Sequence, residues 1–284
     1  MPDLLLVTCA QLPAGEPGHE HLDSALAERG ISAAWARWDD PDVDWSAALV
    51  AVRSTWDYET RREEFLAWAR TVPRLLNGAA VFSWNTDKAY LVELATAGVR
   101  VVPTLVVDGE EELPAAIAEF DSAVVKPRVG AGGRGVVVFD GVEGGPEGLD
   151  ESRLGPGPWV VQPLVASVRT AGEGSVFVLG GEVVSAVQKR PATGEIRVHE
   201  EYGGSTVVVP VLEEAADLAR RTVAAAERLL GVRLDYARVD QMRLEDGTLV
   251  VSELEVTEPG LYLDVLPGNG AAFAALVGQR LGAG

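Results

Sequence analysis

Three groups of residues in this chain could do chemistry together. The first is its lysines. Of 24 basic residues only Lys88, Lys126 and Lys189 are lysine, and the rest are arginine. A compact, steerable ammonium therefore survives at three points in a chain that otherwise uses the planar guanidinium fork. The second group is Gly130-Ala131-Gly132-Gly133-Arg134-Gly135, four residues after Lys126. Glycines at 130, 132, 133 and 135 keep side chains away, so backbone N–H groups can approach phosphate oxygens. The loop matches G-x-G-x-x-G, but a dinucleotide site would need a helix after it. Here Val136-Val137-Val138-Phe139 follows, a β-branched run that predicts a strand. Strand, glycine loop and strand make a flap over phosphates; the plainer alternative is a hairpin turn. No lysine precedes serine or threonine, which excludes a Walker A loop.

The third group is acidic. Tyr236 to Leu244 and Leu249 to Val256 read as two strands joined at Asp246-Gly247, a strong signal for a two-residue turn. That register sets Asp240 across from Glu253 and Arg238 across from Glu255, and it gives Glu253 and Glu255 one face. Facing carboxylates repel unless they share something positive. An oxygen-only cluster fits a hard cation, magnesium before calcium where phosphates supply further ligands. The alternative is a polar face relieved by Arg238.

These groups need elements to hold them. Leu4 to Val7 and Ala48 to Val52 read as buried strands, while Thr60–Arg70 and the second half of Pro17–Gly30 have helical spacing. Alternation of this kind predicts a small α/β unit over residues 1–80. A helix capped by Ser83 or Asn85 and running to Ala97 would carry Lys88, with a strand from Val99 to Val107 beyond it. A helix over 110–119 and the strand 123–126 lead into the flap. Residues 141–157 are rich in glycine, proline and acid and predict a surface connection. A strand at 159–162, strands around Gly180-Gly181, a helix over 212–230, the acidic hairpin and a helix from Ala271 complete the chain. The expected units are 1–80, 81–158 and 159–284, α/β followed by α+β.

Composition narrows the partners. The chain has 284 residues, 47% of them hydrophobic, and a net charge of −19. A nucleic-acid groove or an anionic membrane patch would work against that field. No apolar run approaches a membrane span, and no basic signal segment opens the chain. A single cysteine, Cys9, fits a reducing, cytoplasmic setting and reads as core rather than as a nucleophile.

The order of Asn85-Thr86-Asp87-Lys88, Pro103-Thr104, Val125-Lys126-Pro127, Gly130 to Gly135, Gly194-Glu195-Ile196-Arg197, Tyr202-Gly203-Gly204 and Ser252 to Pro259 resembles the ATP-grasp superfamily. Within it, the pattern is similar to glutathione-synthetase-like and ribosomal-modification-like carboxylate–amine ligases, over about residues 80–265. The first 80 residues, with Arg53-Ser54-Thr55-Trp56-Asp57-Tyr58, more loosely resemble the cyclo-ligases that close O-ureido-serine to cycloserine.

The resemblance implies an ATP-grasp fold behind a small N-terminal α/β domain, with ATP and magnesium, two ions in the usual arrangement, as cofactors. Lys88 and Lys126 would contact the nucleotide. The backbone at Val161 and Gln162 would read adenine, with Trp159 behind it, and the flap would cover the β- and γ-phosphates. Asp240 and Glu253 would hold metal, joined by Glu255, where the family usually has asparagine. Lys189 and Arg197 would stabilise the transferred phosphoryl group. The implied reaction converts a carboxylate into an acyl phosphate and lets an amine displace phosphate, releasing ADP. Arg53, Trp56, Tyr58 and Gly204 are the expected contacts to a small amino-acid-like substrate; a cap around a packed Trp56 is the competing reading of 53–58. A homo-oligomer is left open. A small-molecule kinase and a nucleotide-binding protein without turnover remain the rival functions.

Overall fold

The computed structural model describes residues 1–140 and 154–282. Most of the glycine-rich connection expected over 141–157 therefore lies outside the described residues. In chain order the elements are β1 (Leu4–Thr8), α1 (His19–Glu28), β2 (Ala33–Arg37), β3 (Leu49–Ser54), α2 (Arg62–Thr71), α3 (Ala79–Asn85), α4 (Tyr90–Thr96), β4 (Leu105–Val107), α5 (Leu113–Ala118), β5 (Ser122–Pro127) and β6 (Val137–Asp140). They continue with β7 (Trp159–Pro163), β8 (Glu173–Leu179), β9 (Glu182–Arg190), β10 (Ser205–Val209), α6 (Glu213–Leu230), β11 (Tyr236–Arg243), β12 (Leu249–Glu255) and α7 (Gly268–Gly282).

Three sheets divide the work. A parallel sheet, β2-β1-β3, forms the N-terminal unit. β1 and β3 are buried along their whole length, as their unbroken apolar runs require. An antiparallel sheet, β4-β7-β5-β6, carries the flap between β5 and β6. β7, expected in the last unit, pairs with both β4 and β5 and so lies in the sheet that carries the flap. The third sheet, β10-β9-β8-β11-β12, is antiparallel throughout. One of its faces, with Val176, Val239, Val251 and Leu254, packs on Leu218, Ala219, Val223 and Ala226 of α6. Each buried valine or leucine side chain among them contributes about 1.5–3 kcal/mol, and together they fix which face is left for polar residues.

Two local departures from the sequence reading matter. The helix expected to carry Lys88 is two helices, α3 and α4, broken at Thr86–Ala89. The Asp87 carboxylate accepts from the Ala89 N–H (3.0 Å) and turns the chain there. Asn85 does not cap a helix. Its amide pairs with the edge of β12, donating to the Leu254 carbonyl (2.7 Å) and accepting from the Val256 N–H (3.0 Å).

The second departure is in the acidic hairpin. Its turn spans Glu245-Asp246-Gly247, three residues rather than two, with Gly247 at φ 83° and Leu244 receiving the Gly247 N–H. Near the turn this puts Gln241 opposite Val251. Beyond it the register shifts, and Asp240 faces Glu253 while Arg238 faces Glu255. Ser252 is the extra residue of this bulge. Its hydroxyl donates to Glu173 (2.6 Å) on β8.

Candidate active site

The carboxylates of the hairpin converge. Asp240, Glu253 and Glu255 each offer an oxygen within 4.8 Å of the others. Asp240 is 1% exposed. It accepts from Lys189 Nζ (2.8 Å), from Arg238 Nε and Nη2 (both 2.9 Å) and from the Ser175 hydroxyl (2.7 Å). Burial alone would raise its pKa, but Arg238 and Lys189 hold it well below the usual carboxylate range. Glu253 pairs with Lys88 Nζ at 3.1 Å. Glu255, although it bonds Arg238, is pushed up to about 8 by burial, with Asp240 and Glu253 adding repulsion against Arg238. Such an oxygen-only, mutually repelling set fits magnesium, which would replace the missing positive charge.

The cations are arranged on the opposite wall. On β5 and β7, Val125 and Val161 point into the core with Trp159, and alternation turns Val124, Lys126 and Gln162 to the cavity. The Lys126 ammonium forms no hydrogen bond or ion pair among the described residues, although the Lys126 backbone pairs with β7. Burial lowers its pKa, Glu253 opposing and Lys88 adding to the effect. A half-buried ammonium without an acceptor, at the edge of a cavity, fits an anion such as a phosphate. Lys189, 4% exposed, instead lies between Asp240 and Glu173, 2.6 Å from the latter, and its proton is held firmly.

The glycine loop closes these walls. Gly132, Gly133 and Gly135 have φ of 61°, 71° and 70°, and a Cβ at Gly135 would lie 2.9 Å from the Pro127 ring. The Gly130 carbonyl accepts from Lys88 Nζ (2.7 Å). Glu59 ties the loop to the N-terminal unit, accepting from the Ala131 N–H (2.7 Å) and from Arg134. Arg134 also donates to the Trp56 carbonyl (3.1 Å).

Two adjoining cavities meet at Lys126, Glu253 and the flap. The smaller, about 210 Å³, has an apolar bed of Val102, Val165 and Met242 with Gln162, Lys189 and Arg197 around it. The larger, about 320 Å³, is lined by Trp56, Tyr58, Lys88, His199 and Glu258.

This geometry has known counterparts. The model of the prokaryotic glutathione synthetase ATP-grasp domain matches residues 89–235, just over half of the chain. The chain belongs to the ATP-grasp family. Ahead of that domain, residues 4–77 match the N-terminal domain of D-cycloserine synthetase DcsG. The ligase is 33% identical over 276 residues to the cycloserine biosynthesis protein DcsG of Streptomyces lavendulae, spanning 89% of this chain and 90% of the relative. It is 29% identical over 198 residues to a probable alpha-L-glutamate ligase of Mannheimia succiniciproducens, spanning 69% and 62% of the two chains. The crystal structure of D-cycloserine synthetase DcsG superposes with a TM-score of 0.85 at 30% identity, over 98% of this chain and 99% of that one. The ATP-grasp ligase PsnB, complexed with its minimal precursor, shares the fold at TM-score 0.65 and 18% identity, over 99% and 100% of the chains. The protein is thus an ATP-dependent carboxylate–amine ligase. Its family uses ATP and Mg²⁺, and a PsnB structure holds Mg and ADP. Among the described residues, no helix is long and apolar enough to cross a membrane.

Several expected contacts lie elsewhere in the ligase. Arg53 does not reach either cavity. It is fully buried, donates to Glu16 (3.1 and 2.8 Å), Val52 and Pro259 (2.6 Å) carbonyls, and sits 4.9 Å from the Phe273 ring. Gly204 lines neither cavity; a Cβ there would meet the Val198 carbonyl at 2.1 Å, so it is a packing glycine. The Val161 side chain faces the core, while Gln162, Pro163 and Leu164 line the smaller cavity. Trp159 lies in the same core rather than against a base, and donates to the Gly155 carbonyl (2.9 Å). Arg197 lines the smaller cavity but is held by Glu195 (2.5 Å) and stacked 3.6 Å over Tyr202.

Other site residues escaped the sequence reading. A turn at Gly180-Gly181 alone would set Glu173 opposite Gln188; a register shift between Phe177 and Val178, which spacing does not record, sets it opposite Lys189. Glu16 and Glu59 carry no motif of their own, and Glu258 lies inside the Ser252–Pro259 stretch without having been singled out. Glu258 is buried and its pKa is raised to about 7, first by burial, with Tyr58 and Lys88 opposing and Glu253 adding.

Proposed function

We propose that this ligase activates a small amino-acid-like carboxylate as an acyl phosphate and closes it onto a nitrogen of the same molecule. The observation that carries the reading is the pairing of a DcsG-type N-terminal domain with an ATP-grasp domain, in a chain that matches DcsG almost end to end. The cavity beside that N-terminal domain, about 320 Å³, suits a small molecule better than a folded protein.

In this reading the base of ATP rests on Val102, Val165 and Met242, and its phosphates lie under the flap beside Lys126. Asp240, Glu253 and Glu255 would hold two magnesium ions. Bound there, Mg²⁺ screens the phosphates and eases transfer of the γ-phosphoryl group. Lys88 holds Glu253 and the flap carbonyl together, and Lys126 draws phosphate and carboxylate, two anions that repel in water, into contact. Lys189 and Arg197 border the same space and would balance charge on the transferred group. A nitrogen then attacks the acyl carbon, the C–N bond forms as the C–O bond to phosphate breaks, and the flap keeps water out. The division of labour is then 1–80 for the substrate, and a middle unit through Pro163 and the remaining chain for the nucleotide.

The test is incubation with MgATP and O-ureido-serine. Equimolar ADP and phosphate with a cyclised product by mass spectrometry is expected. AMP and pyrophosphate would exclude the acyl phosphate, a stable phosphorylated product would favour a kinase, and turnover only with an added amine would exclude ring closure.

A further inference from the structure

Of the buried carboxylates at the larger cavity, Glu16 is paired with Arg53 and one other, Glu258, has no task in the chemistry above. Glu258 follows β12 by three residues, is 7% exposed and lines the cavity beside Trp56 and Tyr58. Its backbone is fastened independently of its side chain. The Glu258 carbonyl accepts from Trp56 Nε1 (3.2 Å), and the next carbonyl, that of Pro259, accepts from Arg53 (2.6 Å). The carboxylate is thereby held at the cavity without its own oxygens being used for anchoring. Among the described residues it interacts with the Tyr58 hydroxyl and forms no ion pair. Lys88, the cation acting on it most strongly, is already engaged by Glu253 and the Gly130 carbonyl.

A carboxylate this deeply buried is unfavourable until a cation meets it. The magnesium-type cluster is formed by other acids, and ATP brings no cation to this wall. What remains is the substrate. An ammonium fits the surroundings, since it can donate to the carboxylate while its hydrocarbon side rests against the indole and phenol of Trp56 and Tyr58. Resting on the reading that the acyl substrate is amino-acid-like, we propose that Glu258 is the counter-charge for the substrate's ammonium group and selects amino acids over their des-amino counterparts. Arg53 and Trp56 act as positioning residues that set the Glu258 backbone.

The inference is tested by binding, independently of turnover. Serine, alanine and O-ureido-serine, each beside its des-amino counterpart, are titrated calorimetrically into the full-length protein holding Mg²⁺ and a non-hydrolysable ATP analogue. The parent should bind the amino forms about 10- to 100-fold more tightly. Glu258→Gln keeps the shape and removes the charge; it should bring both series to similar affinity while leaving the affinity for the ATP analogue unchanged. Because it removes an unpaired buried charge, its melting temperature should not fall. Equal binding of both series by the parent, binding of neither, or selectivity that persists in Glu258→Gln would each overturn the proposal. Ring closure is scored separately. Amino-acid selectivity without cyclisation would remove the proposed reaction and leave Glu258 in place; cyclisation without Glu258-dependent selectivity would do the reverse.

Discussion

Arg53 and Lys126 are both enclosed cations near the C-terminal ends of strands, one in the N-terminal sheet and one in the middle sheet. They do different things because of what their donors meet. Arg53 has its guanidinium spent on Glu16 and two carbonyls, inside a ring of Tyr236 and Phe273. Lys126 lines both cavities and has no acceptor among the described residues. An internally satisfied cation fastens segments together; an unsatisfied one beside a cavity is a binding group. Arg53 is fully buried and Lys126 half-buried, but what separates their roles is whether the charge is already answered from within.

The contrast predicts that variants at cavity-facing charges lose function and variants at Arg53 lose stability. The largest effect is expected at the acids facing Lys126. Asp240→Asn and Glu253→Gln should each lower the rate of ADP formation by on the order of 10³-fold or more. Residual turnover within tenfold of the parent would remove them from the centre. Next, Arg53→Met leaves Glu16 buried without its partner and should cost about 3–5 kcal/mol in urea unfolding. Unchanged stability with a selective loss of kcat/KM would return Arg53 to the substrate and break the comparison. Lys126→Met should weaken MgATP binding about 30- to 100-fold, equivalent to roughly 2–3 kcal/mol, at an equal or higher melting temperature. A stability loss like that of Arg53→Met would show that Lys126 is a fastener too.

The smallest effect is a pH dependence. The folded protein holds the Lys126 proton less tightly than an ordinary lysine of pKa 10.5. The unfolded chain therefore binds more protons, and this group adds stability to the nucleotide-free protein as pH rises from its folded pKa towards 10.5. MgATP affinity should move the other way, because a phosphate needs the ammonium. Calorimetry across alkaline pH should show affinity falling before an ordinary lysine would titrate, and Lys126→Arg should flatten the profile. A parent profile already flat would separate this lysine from the nucleotide.

Much of this was legible in the chain. β5, the glycine loop and β6 read as a flap because β-branched runs flank glycines on both sides, and the motif order pointed to the family. The N-terminal loop misled for a physical reason. Arg53 follows an apolar strand, which is where ligand-binding loops often lie, but its partner Glu16 sits in a turn 37 residues earlier and leaves no periodic trace. β2 was missed because Ala-Ala-Trp-Ala-Arg is only partly buried and lacks β-branched residues. The break at Lys88 depended on an Asp87 side chain competing with the helix for backbone, a local choice that spacing does not record. The hairpin is the instructive case: the facing of Asp240 and Glu253 was read correctly from a turn one residue too short, and the bulge at Ser252 restored the difference.

That bulge is a change of parity. Strands alternate sides every residue, so one uncounted position exchanges the two faces for everything after it. Were Ser252 an ordinary paired residue of the strand, Glu253 and Glu255 would continue the phase set by Val251 and face the hydrophobic layer under α6, and Leu254 would face the cavity. The chain thus carries one strand with two destinations: up to Val251 its odd-numbered residues belong to the core, and from Glu253 onward they belong to the site. A single serine, fixed by Glu173 on β8 two strands away, decides that the carboxylates meet the cavity instead of the oil.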